Sequence, residues 1–168
     1  MGRPILATAR LTLQPHNRVK DATRLFPLLN DPVVMEHIGD GALTLDGIDE
    51  YLARHQNYWA TTGMGGWTIE RHADHAVLGN AFLKPMRELP EIEVGYCLGR
   101  EYWGFGYGRE VLSEIVRHAQ HDRRLARVVA VVRPENRRSA SLLLRCGFQL
   151  ESIRKINGKD REFYVIDT

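Results

Sequence analysis

The chain has 168 residues, 43% hydrophobic and 26% charged, and its 23 Lys and Arg against 21 Asp and Glu leave a net charge of +2. That length holds about one domain, and the mixture suits a packed globular protein, which excludes disordered, collagenous and coiled-coil classes. So small a net charge argues against a nucleic-acid or anionic-membrane partner. Cys97 and Cys146 lie far apart and outside any C-x-x-C pattern, so they suggest neither a disulfide framework nor a zinc site and suit a reducing compartment. No run approaches the ~18 apolar residues of a membrane span, and the N-terminal stretch lacks the apolar segment of a secretory signal. The expectation is a cytoplasmic protein with one domain over residues 1–168 and no metal.

Leu11 and Leu13 alternate with polar neighbours as in an opening strand. Ala22, Leu25, Phe26 and Leu29 follow at helical spacing, with Asp21 as the candidate N-cap. Pro27 has no backbone donor, so this helix is expected to be short, or broken ahead of Asn30-Asp31-Pro32. Ile48, Tyr51, Leu52, His55 and Trp59 share one face of a second helix that Thr44 or Asp46 can cap. Residues 67–69, 76–83 and 92–98 read as strands of an antiparallel meander. Val111, Leu112, Ile115, Val116 and Ala119 stripe a longer helix, and residues 128–132 are too continuously apolar to be anything but a strand buried on both faces. Pro134 stops that strand, Gly147 ends a further helix at its C′ position, and residues 148–154 and 161–166 form a closing hairpin on Asn157-Gly158. This order predicts an α/β (α+β) fold.

Between the last meander strand and the striped helix lies Trp103-Gly104-Phe105-Gly106-Tyr107-Gly108. Glycines at alternate positions let the chain turn sharply and bare successive N–H groups, and the helix start adds four more unpaired donors with a partial positive charge. The combination makes an anion cradle; taken alone, the stretch serves equally as a plain turn between strand and helix. Arg109-Glu110 follows Gly108 where a Walker loop needs Lys-Ser/Thr, and a turn placed after a meander does not suit a dinucleotide fingerprint. In the strand before it, parity sets Glu91, Glu93, Gly95 and Cys97 on one face and Ile92, Val94, Tyr96 and Leu98 on the other. Glu93 thus points beside a side-chain-free gap at Gly95, where it can take a proton from an incoming amine or remain a solvated surface charge. His72 with His75, and His118 with His121, have no third ligand at suitable spacing and read as solvated surface.

The loop resembles the acyl-CoA loop of the GNAT acetyltransferases, Q/R-x-x-G-x-G/A, with Gly106 and Gly108 at the two glycine positions. Trp103 in place of Gln or Arg is similar to the RimJ/RimL branch, as are Glu93-Val94-Gly95-Tyr96-Cys97-Leu98, Ala9-Arg10-Leu11-Thr12-Leu13, Asp31-Pro32-Val33, and Asn136-x-x-Ser139 through Cys146-Gly147-Phe148. The resemblance covers nearly the whole chain. It implies the GNAT acyl-CoA N-acyltransferase fold, a central mixed twisted sheet with splayed strands flanked by helices. It implies acetyl-CoA as cosubstrate, with the diphosphate over the loop of Trp103, Gly104, Phe105, Gly106, Tyr107, Gly108 and Arg109. It further implies that the pantetheine arm lies along the backbone of Tyr96, Cys97 and Leu98, and that Asn136 and Ser139 form the second cofactor motif. Residues 35–41 and the helix bearing Tyr51 and Trp59 would flank the acceptor.

The implied reaction is direct attack of a neutral amine on the thioester, with Glu93 as base and backbone N–H groups at 95–97 facing the oxyanion. Many GNAT enzymes carry a Tyr proton donor seven positions after the motif Asn; that position here is Leu143, which leaves Ser139 as a substitute donor, a cap or a cofactor contact. The branch favours a protein N-terminal α-amine of the ribosomal-protein type as acceptor. A small amine such as an antibiotic or polyamine, a non-catalytic acyl-CoA-binding module, and a nucleotide-binding regulator are the alternatives. A monomer or homodimer is expected.

Overall fold

The computed structural model describes residues 2–167. Eight strands form one sheet: β1 (Leu6–Ala7), β2 (Leu11–Pro15), β3 (Gly65–Arg71), β4 (Val77–Pro85), β5 (Ile92–Leu98), β6 (Arg127–Val132), β7 (Gln149–Ile156) and β8 (Lys159–Asp167). Their order is β1-β2-β3-β4-β5-β6-β8-β7, and every neighbouring pair is antiparallel except β5 with β6. Four α-helices flank the sheet: α1 (Arg18–Leu29), α2 (Leu45–Thr62), α3 (Tyr107–Arg117) and α4 (Arg137–Arg145). No helix among the described residues is long and apolar enough to cross a membrane.

The parity of the strands sorts the core onto two faces. Leu13, Ile69, Ala81, Val94 and Leu98 join Val111, Leu112 and Ile115 of α3 and Leu143 of α4 on one side. Leu25 and Leu29 of α1, Ile48 and Leu52 of α2, and Cys97 of β5 form the cluster on the other. Each fully buried Leu or Ile contributes roughly 1.5–3 kcal/mol, so the two layers hold the sheet from both sides.

α1 ends at Leu29, ahead of Asn30 as expected, but departs from the expectation at its N-cap and at Pro27. Its N-cap is Asn17, whose side chain accepts from the Lys20 N–H, while Asp21 sits inside the helix and accepts from the Asn17 N–H at 2.9 Å. Nor does Pro27 break the helix, which runs on to Leu29. A proline in the last turn forfeits only one hydrogen bond, to the carbonyl of Thr23, and the Asn30 N–H still reaches Phe26 O at 2.9 Å. At the end of α4, Gly147 (φ 90°) donates to Leu144 O and Phe148 to Leu143 O, a Schellman closure at the expected glycine. Asn157 (φ 49°) and Gly158 (φ 73°) make the tight turn between β7 and β8.

Candidate active site

The site is organised by β5. All seven of its residues pair with β4, yet it meets β6 at a single position, Glu93 opposite Val129. Beyond that point the two strands part. The bond from Gly99 N–H to Leu78 O at 2.9 Å sets the phase of the ladder. By alternation, Glu93, Gly95 and Cys97 bond to β4, and Tyr96 and Leu98 turn their backbone groups into the parting. The N–H groups of Gly95 and Cys97, expected to face an oxyanion, are therefore directed to β4; the one between them, on Tyr96, faces the opening. The Leu98 carbonyl on that side accepts from the Trp103 indole N–H at 2.8 Å. That bond accounts for Trp103, whose ring also lies 3.9 Å beneath the Arg138 guanidinium and fastens the loop to the end of β5.

The glycine loop lies at the C-terminal end of β5. Gly104 (φ 86°) and Gly106 (φ 83°) both need the left-handed conformation, and Gly106 is the N-cap of α3 without a side-chain capping bond. The first bond of the helix is Glu110 N–H to Gly106 O, so the N–H groups of Tyr107, Gly108 and Arg109 have no helical carbonyl to reach. A Cβ on Gly104 would meet nothing within 4 Å and one on Gly106 only Arg10 Nη2, so the space over the donors is open. These features fit a diphosphate. Gly108 differs: a Cβ there would lie 3.0 Å from Leu142 Cδ2 and 3.4 Å from the Tyr96 ring, so it lets α3 close on β5 and α4. Tyr107 is buried, while Phe105 and Arg109 are exposed.

One residue of this scaffold escaped its assignment from sequence. Arg10 of the β1–β2 turn donates from Nη1 to Phe105 O at 3.0 Å and from Nε to Glu110 Oε2 at 2.8 Å, and its guanidinium covers the Tyr107 ring at 4.4 Å. Partial burial acts to raise the Glu110 pKa, but the bonds from Thr8 and Arg10 outweigh it and hold the carboxyl below its ordinary range. The acid in the first turn of α3 is thus matched by a cation and does not oppose an anion at the helix start.

The two candidate catalytic groups fall on opposite faces of β5. Glu93 faces α2, and its Oε2 lies 2.5 Å from Lys84 Nζ. Gly95 beside it is not a gap: the Phe82 ring occupies the space a Cβ would fill. Ser139 lies on the α3–α4 face, where Asn136 caps α4 by accepting from the Ser139 N–H at 3.2 Å. Burial pushes the Tyr96 phenol up, partly opposed by the nearby Ser139, and the Tyr96 ring also borders Gly108. Leu143 is 1% exposed, a core position. Cys97 is buried among the α1–α2 residues, and burial drives its thiol up to about 12, so it is a poor nucleophile at neutral pH.

Sequence reasoning missed a buried polar chain beneath α2. His16 Nδ1 lies 3.0 Å from Thr68 Oγ1, which donates to Asp21 Oδ2 at 2.8 Å, and Asp21 accepts from Arg24. The His55 ring packs 5.6 Å from His16 and 4.4 Å from Tyr51, whose hydroxyl accepts from Asn80 Nδ2 at 2.6 Å. Burial lowers His16 to about 4, with Asp21 opposing, and lowers His55 to about 2, helped by His16, Lys84 and Arg54. The expected surface histidines split. His118 is buried against Trp67, with Nδ1 2.8 Å from Asp122, because its backbone extends the striped face of α3; His72 stays outside on Thr12 Oγ1. Among the described residues no group of three His, Cys, Asp or Glu is arranged to hold a metal ion.

A family model described as an acetyltransferase (GNAT) domain matches residues 10–149. A Bacillus subtilis (strain 168) protein named as an uncharacterized N-acetyltransferase, YoaA, is 30% identical over 155 residues, 89% of this chain and 85% of that one. The acetyltransferase from Agrobacterium tumefaciens str. C58 has the same fold with a TM-score of 0.86 and 25% identity, over 100% of this chain and 96% of its own. RimL, a ribosomal L7/L12 α-N-protein acetyltransferase solved with coenzyme A, shares the fold with a TM-score of 0.81 at 16% identity over 98% of each chain. With a domain match that runs from β2 to the start of β7, this chain belongs to the GNAT family and is an acetyl-CoA-dependent acetyltransferase.

Proposed function

We propose that the acceptor is the α-amine of a protein N-terminus, brought to Glu93 from the α2 face of β5. Acetyl-CoA supplies the acetyl group as a thioester. The bare N–H groups from Gly104 to Arg109 would hold its diphosphate, and the backbone of Tyr96 and the Leu98 N–H would receive the pantetheine arm as an added strand. Asn136 would act by fixing the start of α4, and Ser139 by offering a hydroxyl on the cofactor side. Glu93 would draw the proton from the amine as its nitrogen adds to the thioester carbonyl and the Tyr96 N–H stabilises the oxyanion; the C–S bond then breaks, the amide forms, and coenzyme A leaves as a thiolate that takes its proton from water.

The observation that carries this reading is the parting of β5 from β6 just past Glu93, with the glycine cradle at one end of the exposed edge and the carboxylate at the other. An α-amine needs little help: with a pKa of ~7.7–8.0 roughly a tenth is neutral at pH 7, against well under a thousandth of a lysine near ~10.4. A fold neighbour named for the α-amine of a ribosomal protein supports the same acceptor. The experiment is thiol release from acetyl-CoA with peptide N-termini, free lysine derivatives, polyamines and aminoglycosides at pH 7. Peptides acetylated at the α-amine and faster than the rest are the expected result; turnover confined to a small amine overturns the reading.

A further inference from the structure

The acceptor mouth carries a charge pattern that the transfer reaction itself does not require. A recess of about 290 Å³ opens between the C-terminal half of α2 and the end of β4, lined by Tyr51, Arg54, His55, Tyr58, Lys84 and Arg87. Arg54, Tyr58 and Arg87 also line a more open groove of about 560 Å³ that continues from it along α2. The lining thus holds three cations, two phenols and no carboxylate. Lys84 is matched by Glu93 at 2.5 Å, and the nearby Glu91 is taken by Arg127 at 3.3 Å. Among the described residues neither Arg54 nor Arg87 enters an ion pair, although Glu50 lies one turn before Arg54 and Glu88 follows Arg87. His55 stays neutral here and adds no charge.

Position says which reactant these arginines meet. They border the Glu93 end of β5, and the cradle borders the Leu98 end, five residues and about 17 Å away at ~3.3 Å per residue. The diphosphate and the arginines therefore occupy opposite ends of the strand. We infer that Arg54 and Arg87 form an anion subsite for the acceptor, which selects amines carrying a carboxylate within a residue or two of the reacting nitrogen. Guanidinium forks bind carboxylates through paired, charge-assisted bonds, and the flanking Tyr51 and Tyr58 supply flat walls for the intervening chain. The inference rests on the acceptor entering by the α2 face, as proposed above. The carboxylate can belong to an acidic side chain at the second or third residue of a peptide or to a free amino acid.

The test uses the whole protein, acetyl-CoA and matched acceptors: Ala-Asp-Asp, Ala-Asn-Asn and Ala-Lys-Lys amides, with free aspartate and aspartate diamide as the small-molecule arm. Thiol release should favour the acidic peptide over the neutral one by about tenfold in kcat/KM, the size of one charge-assisted hydrogen bond, and rank the basic peptide last. The double substitution Arg54→Ala, Arg87→Ala lies on exposed positions and should bring the ratio to about one while leaving the KM for acetyl-CoA unchanged. Preference for free aspartate over its diamide, with no such ranking among peptides, assigns the subsite to a free amino acid.

Charge-blind or base-preferring turnover overturns the inference and leaves acetyl transfer standing, as does an acid preference that survives the double substitution. If no acceptor turns over, the α-amine reading fails on its own account. Calorimetric titration of the N-acetylated acidic peptide into wild type and variant then still decides: about tenfold weaker binding to the variant supports the subsite, and equal binding overturns it.

Discussion

For the base role proposed for Glu93, the carboxylate has to be charged, reachable and aimed, and it is held by Lys84, 2.5 Å away on the adjacent strand. Glu93→Gln keeps the shape and removes the acceptor. Thiol release with a peptide acceptor should fall by up to about tenfold at pH 7, where roughly a tenth of the α-amine is already neutral. The deficit should narrow toward pH 9, where the amine is already neutral, with the KM for acetyl-CoA unaltered; a deficit independent of pH would assign Glu93 to binding instead. At the other end of β5, Gly106→Ala puts a Cβ on a residue at φ 83°, which costs ~1–2 kcal/mol. The KM for acetyl-CoA should rise about tenfold and the melting temperature drop by a few degrees, both measurable on one preparation. Parity alone put Glu93 on one face with Gly95 and Cys97, because a strand alternates whatever its neighbours are. Lys84 as its partner and Phe82 over Gly95 were not legible, since each depends on the register between strands, which no single strand encodes.

Among the elements, α3 and its loop depend on a turn far away in sequence. Arg10→Met keeps an unbranched aliphatic side chain and removes the guanidinium, with its contact on the Tyr107 ring and its bonds to Phe105 and Glu110. Because Arg10 is half exposed, the loss of stability should be small, about 0.5–1 kcal/mol, whereas the KM for acetyl-CoA should rise several-fold as the loop loosens. A urea titration beside a KM measurement separates the two. The meander, the striped helix, the Gly147 stop and the Asn157-Gly158 turn were readable because each rests on local periodicity or on one residue with special backbone freedom. β1 was missed, as two residues carry no period, and the cap of α1 was placed at Asp21 because the sequence does not show that this carboxylate is needed below, by Thr68 and Arg24. Leu143 illustrates a different limit: its departure from the family pattern was visible, but its place in the core came from the packing of α4, and Leu143→Ala should cost ~2–5 kcal/mol in chemical unfolding.

For the molecule as a whole, the buried histidines tie stability to pH. His16 at about 4 and His55 at about 2 are neutral in the folded state, while both would titrate near 6.5 once unfolded. A folded pKa depressed in this way means the unfolded chain binds more protons below pH 6.5, so stability is full above that value and is lost as pH falls. The loss approaches ~1.4 kcal/mol per pH unit for each histidine, continuing to about pH 4 for His16 and further for His55. Urea midpoints should be level from pH 8 to 7 and decline between pH 6.5 and 5, ahead of most carboxylates, and His16→Asn should flatten that decline. An unchanged slope would mean that His16 opens to water before the chain unfolds.

The lone bridge between β5 and β6 has a mechanical side. The strands from β1 to β5 and those from β6 to β8 act as two leaves of a book whose spine is stitched at one point. A guest laid in the crease would sew the leaves together, so amides on either side should exchange with deuterium more slowly in its presence, including ones it never touches. Occupancy and rigidity would then be two readings of the same equilibrium.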